Sequence, residues 1–472
     1  MPWDTGLHGV HRAIAAYPNS PLRVVAGPGT GKTFALMRRV ARLLETGVQP
    51  ERILAVTFTR TAANDLVEKL AALGVDGAER VAAKTLHSLS FGMLSRAAVL
   101  RALGRVSRPL LDCELDTLVC DLQEAFGGKR EVKRLIKAFE AYWARLQHHQ
   151  PGFPADPTER AFNRGLHDWL IFHQAMLIGE VVPAALDFVR QNPAHPDVPV
   201  YEHIVVDEYQ DLNRADQALI DALSANACVT VVGDEDQSIY GFRFAHPEGI
   251  AEYPQTHALT HDELLSECRR CPRRIVEMAC ALIDHNVRLE PKPLTVCPQN
   301  GEGQAYIVQH DSIENEITAL AAYVEWYLET HPGVAAGEVL VLANRRLIGN
   351  GIRDRINEVA QQNDRAWVAQ SFYFEDALKS DLAAESFTLL TLLANQDDRP
   401  ALRNWLGAGS ADCRRRPYVR LRAHCEAAGV SPRGALEQML GGNLQLPYTG
   451  PLIQRFDLLQ QRLVALAALD IP

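Results

Sequence analysis

The sequence predicts an α/β fold: a parallel sheet with helices on both faces, a second, incomplete α/β domain, and a helical C-terminal segment. Three observations lead to this fold class. Short β-branched runs alternate with segments of helical periodicity, a glycine-rich turn joins the first run to a helix, and an acidic pair follows a later run. The strand-like runs lie at residues 24–25, 53–59, 81–83, 204–206 and 229–232.

Composition sets broad limits on the class of protein. The 472 residues are 47% hydrophobic and 22% charged, which is typical of a globular chain of roughly three to four domains. The sequence shows neither an apolar run of about 18 residues nor a signal-peptide pattern. Nine cysteines without framework spacing favour a reducing cytoplasm. The formal charge of −10 argues against a general basic coat, so any DNA contact must depend on local patches.

The glycine-rich turn is the clearest functional signal. It runs Ala26-Gly27-Pro28-Gly29-Thr30-Gly31-Lys32-Thr33. Its glycines let backbone N–H groups approach an anion beside the N-terminus of the next helix. Lys32 is expected to reach the β- and γ-phosphates and Thr33 to bind Mg²⁺, so ATP and Mg²⁺ are the expected cofactors. Because Ala26 stands where the usual pattern begins with glycine, a chance glycine-rich turn is the alternative.

The acidic pair Asp207-Glu208 follows the apolar run at residues 204–206. An aspartate at the carboxyl end of a buried strand in such a sheet supplies the second contact to Mg²⁺. Glu208 is then placed to orient or deprotonate the attacking water. An Asp-Glu pair after an apolar run is common by itself, but together with Lys32 and Thr33 it completes an ATPase site.

Residues 233–243, which read Gly-Asp-Glu-Asp-Gln-Ser-Ile-Tyr-Gly-Phe-Arg, complete a set of ordered motifs. The others lie at residues 26–33, 57–59 with 62–63, 85–88, 207–211 and 268–272. In this order they make the chain resemble a superfamily 1 DNA helicase of the UvrD/Rep/PcrA type over nearly its whole length. The resemblance implies RecA-like motor domains and an ATP-dependent 3′→5′ helicase or translocase that binds single-stranded DNA and junctions with duplex, away from membranes.

The resemblance also assigns roles to single residues. Gln237 would contact the γ-phosphate and relay its presence to the DNA, and Arg270 would reach the γ-phosphate from the second motor domain. Arg270 has the alternative of being one more arginine in a basic helix start. Tyr240 and Phe242 would stack on bases, worth ~1–3 kcal/mol per base, or would be core residues. The remaining DNA contacts implied are Phe58, Thr59, Arg60, Thr85 and His87, with Asn344 and Arg345 in the second motor domain.

Domain limits follow from the same resemblance. The first motor domain is expected at residues 1–98 and 191–262, interrupted by a helical insertion at 99–190. The second motor domain is expected at 263–375, with strands at 305–308 and 339–342 around a helix at 314–328. Residues 376–472 resemble the start of a helical accessory subdomain. Within the insertion, the basic face of residues 129–146 is either solvated or directed at DNA.

Two departures from the family pattern limit the prediction. The upstream glutamine that reads adenine is replaced by Val10 or His11, and Phe34 and Arg269 occupy two further pocket positions, so base selectivity is open. After Asn344, neither the Thr-x-His-x-x-Lys-Gly-Leu-Glu-like motif nor the final Thr-Arg motif occurs. The alternatives to an active helicase are therefore a nucleotide-gated DNA-binding module or half of a split motor completed by a partner chain.

Overall fold

The computed structural model describes residues 3–96, 98–100, 104, 106, 108–287, 292–371 and 380–468. The chain forms two compact units. The first comprises Met1–Gly303 with Thr388–Pro472, and the second comprises Gln304–Phe387. Each unit has its own hydrophobic core.

A six-stranded sheet organises the first unit. Its strands are β1 (Leu22–Ala26), β2 (Ile53–Val56), β3 (Ala82–Lys84), β4 (His203–Val206), β5 (Cys228–Gly233) and β6 (His261–Leu265), in the order β3-β2-β4-β5-β1-β6. Every neighbouring pair is parallel. A separate parallel pair is formed by β7 (Glu267–Cys268) and β8 (Thr295–Val296). The predicted parallel α/β fold of a P-loop NTPase is confirmed.

Helices cover both faces of this sheet, because its strands bury side chains in both directions. In β2, Leu54 and Val56 pack into the core that contains Ile220, whereas Ile53 packs into the core that contains Leu36. This alternation follows the two-residue period of a strand. The α-helices whose bounds lie within the described residues before 304 are α1 (Gly9–Ala16), α2 (Lys32–Glu45), α3 (Arg60–Ala72), α4 (Leu86–Leu94), α5 (Asp112–Leu122), α6 (Lys129–Ala144), α7 (Pro157–His173), α8 (Val181–Gln191), α9 (Arg214–Leu223), α10 (Glu248–Ala251), α11 (Tyr253–Thr256) and α12 (Arg273–Ile283).

Several predicted element ends are corrected by the structure. The strand expected at 53–59 ends at Val56, because the hydroxyl of Thr59 accepts a hydrogen bond from the Ala62 N–H and so caps α3. Residues 261–265 form β6, which pairs with β1. The domain boundary expected at residue 263 therefore falls inside a strand of the first sheet and is wrong at that point.

The second unit contains α13 (Ile313–Thr330) and α14 (Arg346–Gln362). These helices pack together through Ala321, Val324, Ile352 and Ile356. The strands expected at 305–308 and 339–342 are not formed, since neither segment pairs with another strand in the described part of the chain. An apolar run identifies a strand-like segment, but a strand is stable only when neighbouring strands share its hydrogen bonds.

The C-terminal helices are α15 (Asp381–Ala394), α16 (Arg399–Gly407), α17 (Arg415–Ala428), α18 (Pro432–Leu440) and α19 (Gly450–Ala467). From residue 388 onward they belong to the first unit and pack against the insertion. The guanidinium of Arg403, which is fully buried, donates to Asp121 at 2.5 Å. Trp169 Nε1 donates to the same carboxylate at 2.9 Å, so three segments of the chain share one buried charge.

The boundary expected at residues 375–376 lies outside the described residues, and the other domain ranges stay predictions. None of the helices in the described ranges is both long enough and apolar enough to cross a bilayer.

Candidate nucleotide and DNA site

Three loops meet at the carboxyl edge of the sheet. The phosphate loop follows β1, Asp207 and Glu208 follow β4, and Asp234 follows β5. Because β5 lies between β1 and β4 in the sheet, these loops are neighbours in space. Ligands of open α/β sheets bind at this edge.

The predicted phosphate and metal residues lie in contact. Thr33 Oγ1 donates to Asp207 Oδ2 at 3.0 Å, and the buried Lys32 places Nζ 3.0 Å from Glu208 Oε2. Gly29 and Gly31 adopt positive φ angles of 70° and 89°, as a tight anion-binding turn requires. The turn therefore brings its hydroxyl and its ammonium group to the acidic pair.

The donor set fits a magnesium ion. A hydroxyl and a carboxylate are the oxygen ligands that Mg²⁺ prefers beside phosphate oxygens. Desolvation of Asp207, followed by the charge of Glu208, raises the pKa of this carboxyl, while Lys32 lowers it. A carboxylate destabilised in this way gains from a nearby cation.

A chain of hydrogen bonds extends from this pair to the next loop. Gln210 Nε2 donates to Glu208 Oε2 at 2.9 Å, and its Oε1 accepts from the Asp234 N–H at 2.9 Å. Gln237 Nε2 then donates to Asp234 Oδ2 at 2.8 Å. Gln237, the predicted phosphate sensor, is thus connected to Glu208, the predicted catalytic carboxylate. The connection runs through Gln210 and Asp234, to which the sequence motifs assigned no role.

Asp211 is the last residue of the motif at 207–211, and the motif assigns it no role. Burial, followed by the charge of Glu208, raises its pKa to about 7. Its Oδ1 atom is buried and makes no hydrogen bond to the described residues. Perturbed carboxyls in a cleft are candidates for proton transfer, and the sequence signal for this one is an acidic residue three positions after Glu208.

Two other segments pack on the phosphate loop. His11 Nε2 lies 2.7 Å from the Thr30 carbonyl oxygen, and the Arg269 N–H donates to the Gly29 carbonyl at 2.9 Å. A Cβ added to Gly29 would lie 2.8 Å from Arg270 Cβ and 2.9 Å from Cys268 Sγ. Arg270 therefore lies beside the phosphate loop, while its contact with a γ-phosphate stays a prediction.

The aromatic residues predicted to stack on bases form one cluster. The rings of Phe58 and Tyr240 have centroids 4.5 Å apart, and those of Tyr240 and Phe242 are 5.8 Å apart. The Arg243 guanidinium lies 5.6–5.9 Å from all three ring centroids. Phe242 is 69% exposed, so the core-packing alternative is excluded for this ring. Arg243, the last residue of the motif at 233–243, is a further basic residue of this surface.

The other predicted DNA contacts are placed less uniformly. The hydroxyls of Thr59 and Thr85 cap α3 and α4 by accepting from Ala62 N and Ser88 N. His87 is exposed on the first turn of α4. Arg60 begins α3, and its side chain lies outside the described residues. Asn344 and Arg345 are exposed ahead of α14 in the second unit.

Comparisons with known proteins agree with the motifs. A family model described as "AAA domain" matches residues 11–243. The ATP-dependent DNA helicase PcrA of Leuconostoc citreum is 29% identical over 326 residues, which are 63% of this chain and 41% of that protein. PcrA of Staphylococcus aureus strain Mu50 is 29% identical over 301 residues, 60% of this chain and 40% of its own length. The chain spans about two fifths of the length of these relatives. The alignments cover about three fifths of this chain, whereas the motifs suggested a resemblance over nearly its whole length.

Proposed function

We propose that the chain is a member of superfamily 1 of the UvrD/Rep/PcrA type and that it acts as an ATP-dependent DNA translocase or helicase. Its substrates are single-stranded DNA and junctions of single strand with duplex. The 3′→5′ polarity of the proposal comes from the family resemblance, and its cytoplasmic setting comes from the nine cysteines without framework spacing.

One loop carries this proposal, because it contributes to both halves of the site. Gln237 at its start is hydrogen-bonded into the acidic network beside Lys32. Tyr240, Phe242 and Arg243 at its end form the exposed ring and guanidinium cluster. A shift of Gln237 on contact with a γ-phosphate would be transmitted over only a few residues to the surface that holds bases. Such a short link would let nucleotide and DNA favour the same conformation of this loop, which couples hydrolysis to movement along DNA.

Each step of the proposed hydrolysis can be given to a residue of this site. Thr33 and Asp207 would hold Mg²⁺, which supplies charge neutralisation at the phosphates when bound. Lys32 would exchange its ion pair with Glu208 for the β- and γ-phosphates, leaving Glu208 to accept a proton from water. Gln210 keeps this carboxylate in place through its amide.

Phosphate release with and without single-stranded DNA tests the proposal. We expect DNA to stimulate hydrolysis by the purified 472-residue chain. A nucleotide-gated binding module would bind ATP and DNA without stimulated release, and a split motor would regain release when a partner chain is added.

The chain alone is expected to bind single-stranded DNA but to unwind a 3′-tailed duplex poorly. Its sequence contains Arg270 but not the arginine of the family's last motif, and one such arginine is worth ~10³-fold or more in turnover. DNA affinity should fall with salt concentration, as phosphate contacts require. Fluorescence anisotropy and a strand-displacement assay measure the two quantities. Robust unwinding by the isolated chain contradicts this prediction.

Nucleotide choice is expected to be weak, with ATP and GTP binding within about tenfold of each other. A pocket rejects the wrong base when it leaves buried polar groups unpaired. Here His11 is engaged with Thr30, and Arg269 Nε is paired with Glu267 at 3.0 Å. Phe34 offers a ring that is 37% exposed but no hydrogen bond to the base. Competition titrations of ATP against GTP measure this preference. ADP against GDP is the control, because it tests recognition of the base without the γ-phosphate. A hundredfold preference for ATP would contradict the prediction.

A further inference from the structure

Lys292 is a buried lysine that binds three consecutive carboxylates. It lies in the segment before β8, and its side chain is 8% exposed. Its Nζ contacts Asp234 Oδ1, Glu235 Oε2 at 2.8 Å and Asp236 Oδ2 at 3.2 Å. Burial lowers the pKa of Lys292, but hydrogen bonding and charge from Asp234 and Glu235 outweigh burial and raise it. The lysine is therefore a fixed cation at the loop that follows β5.

This loop needs a cation to keep its shape. Three adjacent carboxylates repel one another, and burying them without a counter-charge is costly. Asp234 also accepts hydrogen bonds from the Asp236 N–H at 3.2 Å and from Gln237 Nε2 at 2.8 Å. The orientation of Asp234 thus determines where Gln237 lies, and Lys292 holds Asp234 from the other side.

The same lysine segment also reaches the phosphate loop. A Cβ added to Gly27 would lie 2.7 Å from Leu294 Cδ1. A cavity of about 240 Å³ is lined by Gly27, Gln237, Lys292 and Leu294 together with neighbouring residues. The segment therefore contacts both the phosphate loop and the loop at residues 234–236, and all three line one cavity. A movement of either loop would change the contacts of the segment that carries Lys292.

We propose that Lys292 is a positioning residue of the ATPase. By binding Asp234 it sets the position of Gln237 and, through Gln210, that of Glu208. The inference rests on the proposed ATPase function and deepens it, because it adds a cation from outside the recognised motifs to the control of the γ-phosphate sensor.

The test compares Lys292→Met, Lys292→Arg and wild type in two measurements. In DNA-stimulated phosphate release we expect Lys292→Met to lower kcat ~10²-fold with KM for ATP changed less than about threefold, since small misplacements cost about this much. In hydrogen–deuterium exchange, amides of residues 234–243 should exchange at least ~10-fold faster. Lys292→Arg should restore most of both properties.

Arg80→Met is the matched control, because Arg80 is an exposed cation near two carboxylates, Glu51 and Glu79. It should change neither measurement. If Lys292→Met does not fold, Lys292→Gln, which keeps a hydrogen-bond donor, is expected to show the same loss of kcat. Wild-type exchange in residues 234–243 of a folded Met or Gln variant overturns the inference. Absence of hydrolysis by wild type would instead reject the ATPase proposal, and the exchange data would still decide the role of Lys292.

Discussion

Lys32→Ala is expected to abolish binding of Mg-ATP at ordinary concentrations. The ammonium group of Lys32 is buried and lies 3.0 Å from Glu208 Oε2. Its removal takes away the cation that we expect to face the β- and γ-phosphates. Truncating one partner of a buried, hydrogen-bonded charge pair between protein and ligand costs ~2–5 kcal/mol, equivalent to about 30- to 4,000-fold in Kd. Titration with a fluorescent ATP analogue measures the loss.

Lys69→Ala controls for the loss of one lysine, since Lys69 is exposed near the end of α3. Its affinity for ATP should match that of wild type. A thermal transition like that of wild type shows that the Lys32 variant is folded. Nucleotide affinity within about threefold of wild type in the folded Lys32 variant would place the phosphates elsewhere.

Glu208→Gln is expected to retain ATP binding and lose hydrolysis. The amide keeps the size of the carboxylate and can still accept from Gln210 Nε2, so the geometry of the loop after β4 survives. A general base contributes ~10²–10⁴-fold, and turnover should fall by this amount. ATP affinity should be unchanged or tighter, because Lys32 no longer has to leave an ion pair.

Single-turnover phosphate release and equilibrium binding separate the two effects. Glu51→Gln is the matched control, because Glu51 pairs with Arg80 at 3.0 Å on the surface and is not part of the loop that carries Glu208. Turnover at the wild-type level in Glu208→Gln would assign the base to another carboxyl. Asp211, whose pKa is raised to about 7, is the first candidate.

Local patterns were sufficient for five of the six strands of the first sheet and for its phosphate loop, whereas β6 was not predicted. Val24 and Val25 followed by glycines and Lys32 specify strand, turn and helix within a few residues, and this order occurs in the structure. Asp207 and Glu208 could be placed beside Lys32 because parallel strands end at a common edge. Short-range sequence signals thus reached long-range neighbours through the topology of the sheet.

Contacts between distant segments could not be predicted in this way. Lys292 has no motif of its own, and only the three carboxylates at Asp234, Glu235 and Asp236 indicate that some cation must lie near them. The prediction of strands at 305–308 and 339–342 was wrong for a related reason. Periodicity reports which side chains can be buried, whereas pairing depends on the rest of the sheet.

The shared charge of Asp121 and Arg403 has a consequence for synthesis on the ribosome. These residues are 282 positions apart, and chains elongate at ~5–20 residues per second, so Asp121 is made roughly 15 to 55 s before Arg403. During this interval the insertion can fold around Phe139 and Phe162, which form its own core. The carboxylate of Asp121 has no contact with Arg403 until the C-terminal helices are made. Synthesis in this order therefore leaves the docking of those helices, and with it the neutralisation of Asp121, as a step that follows the folding of the insertion.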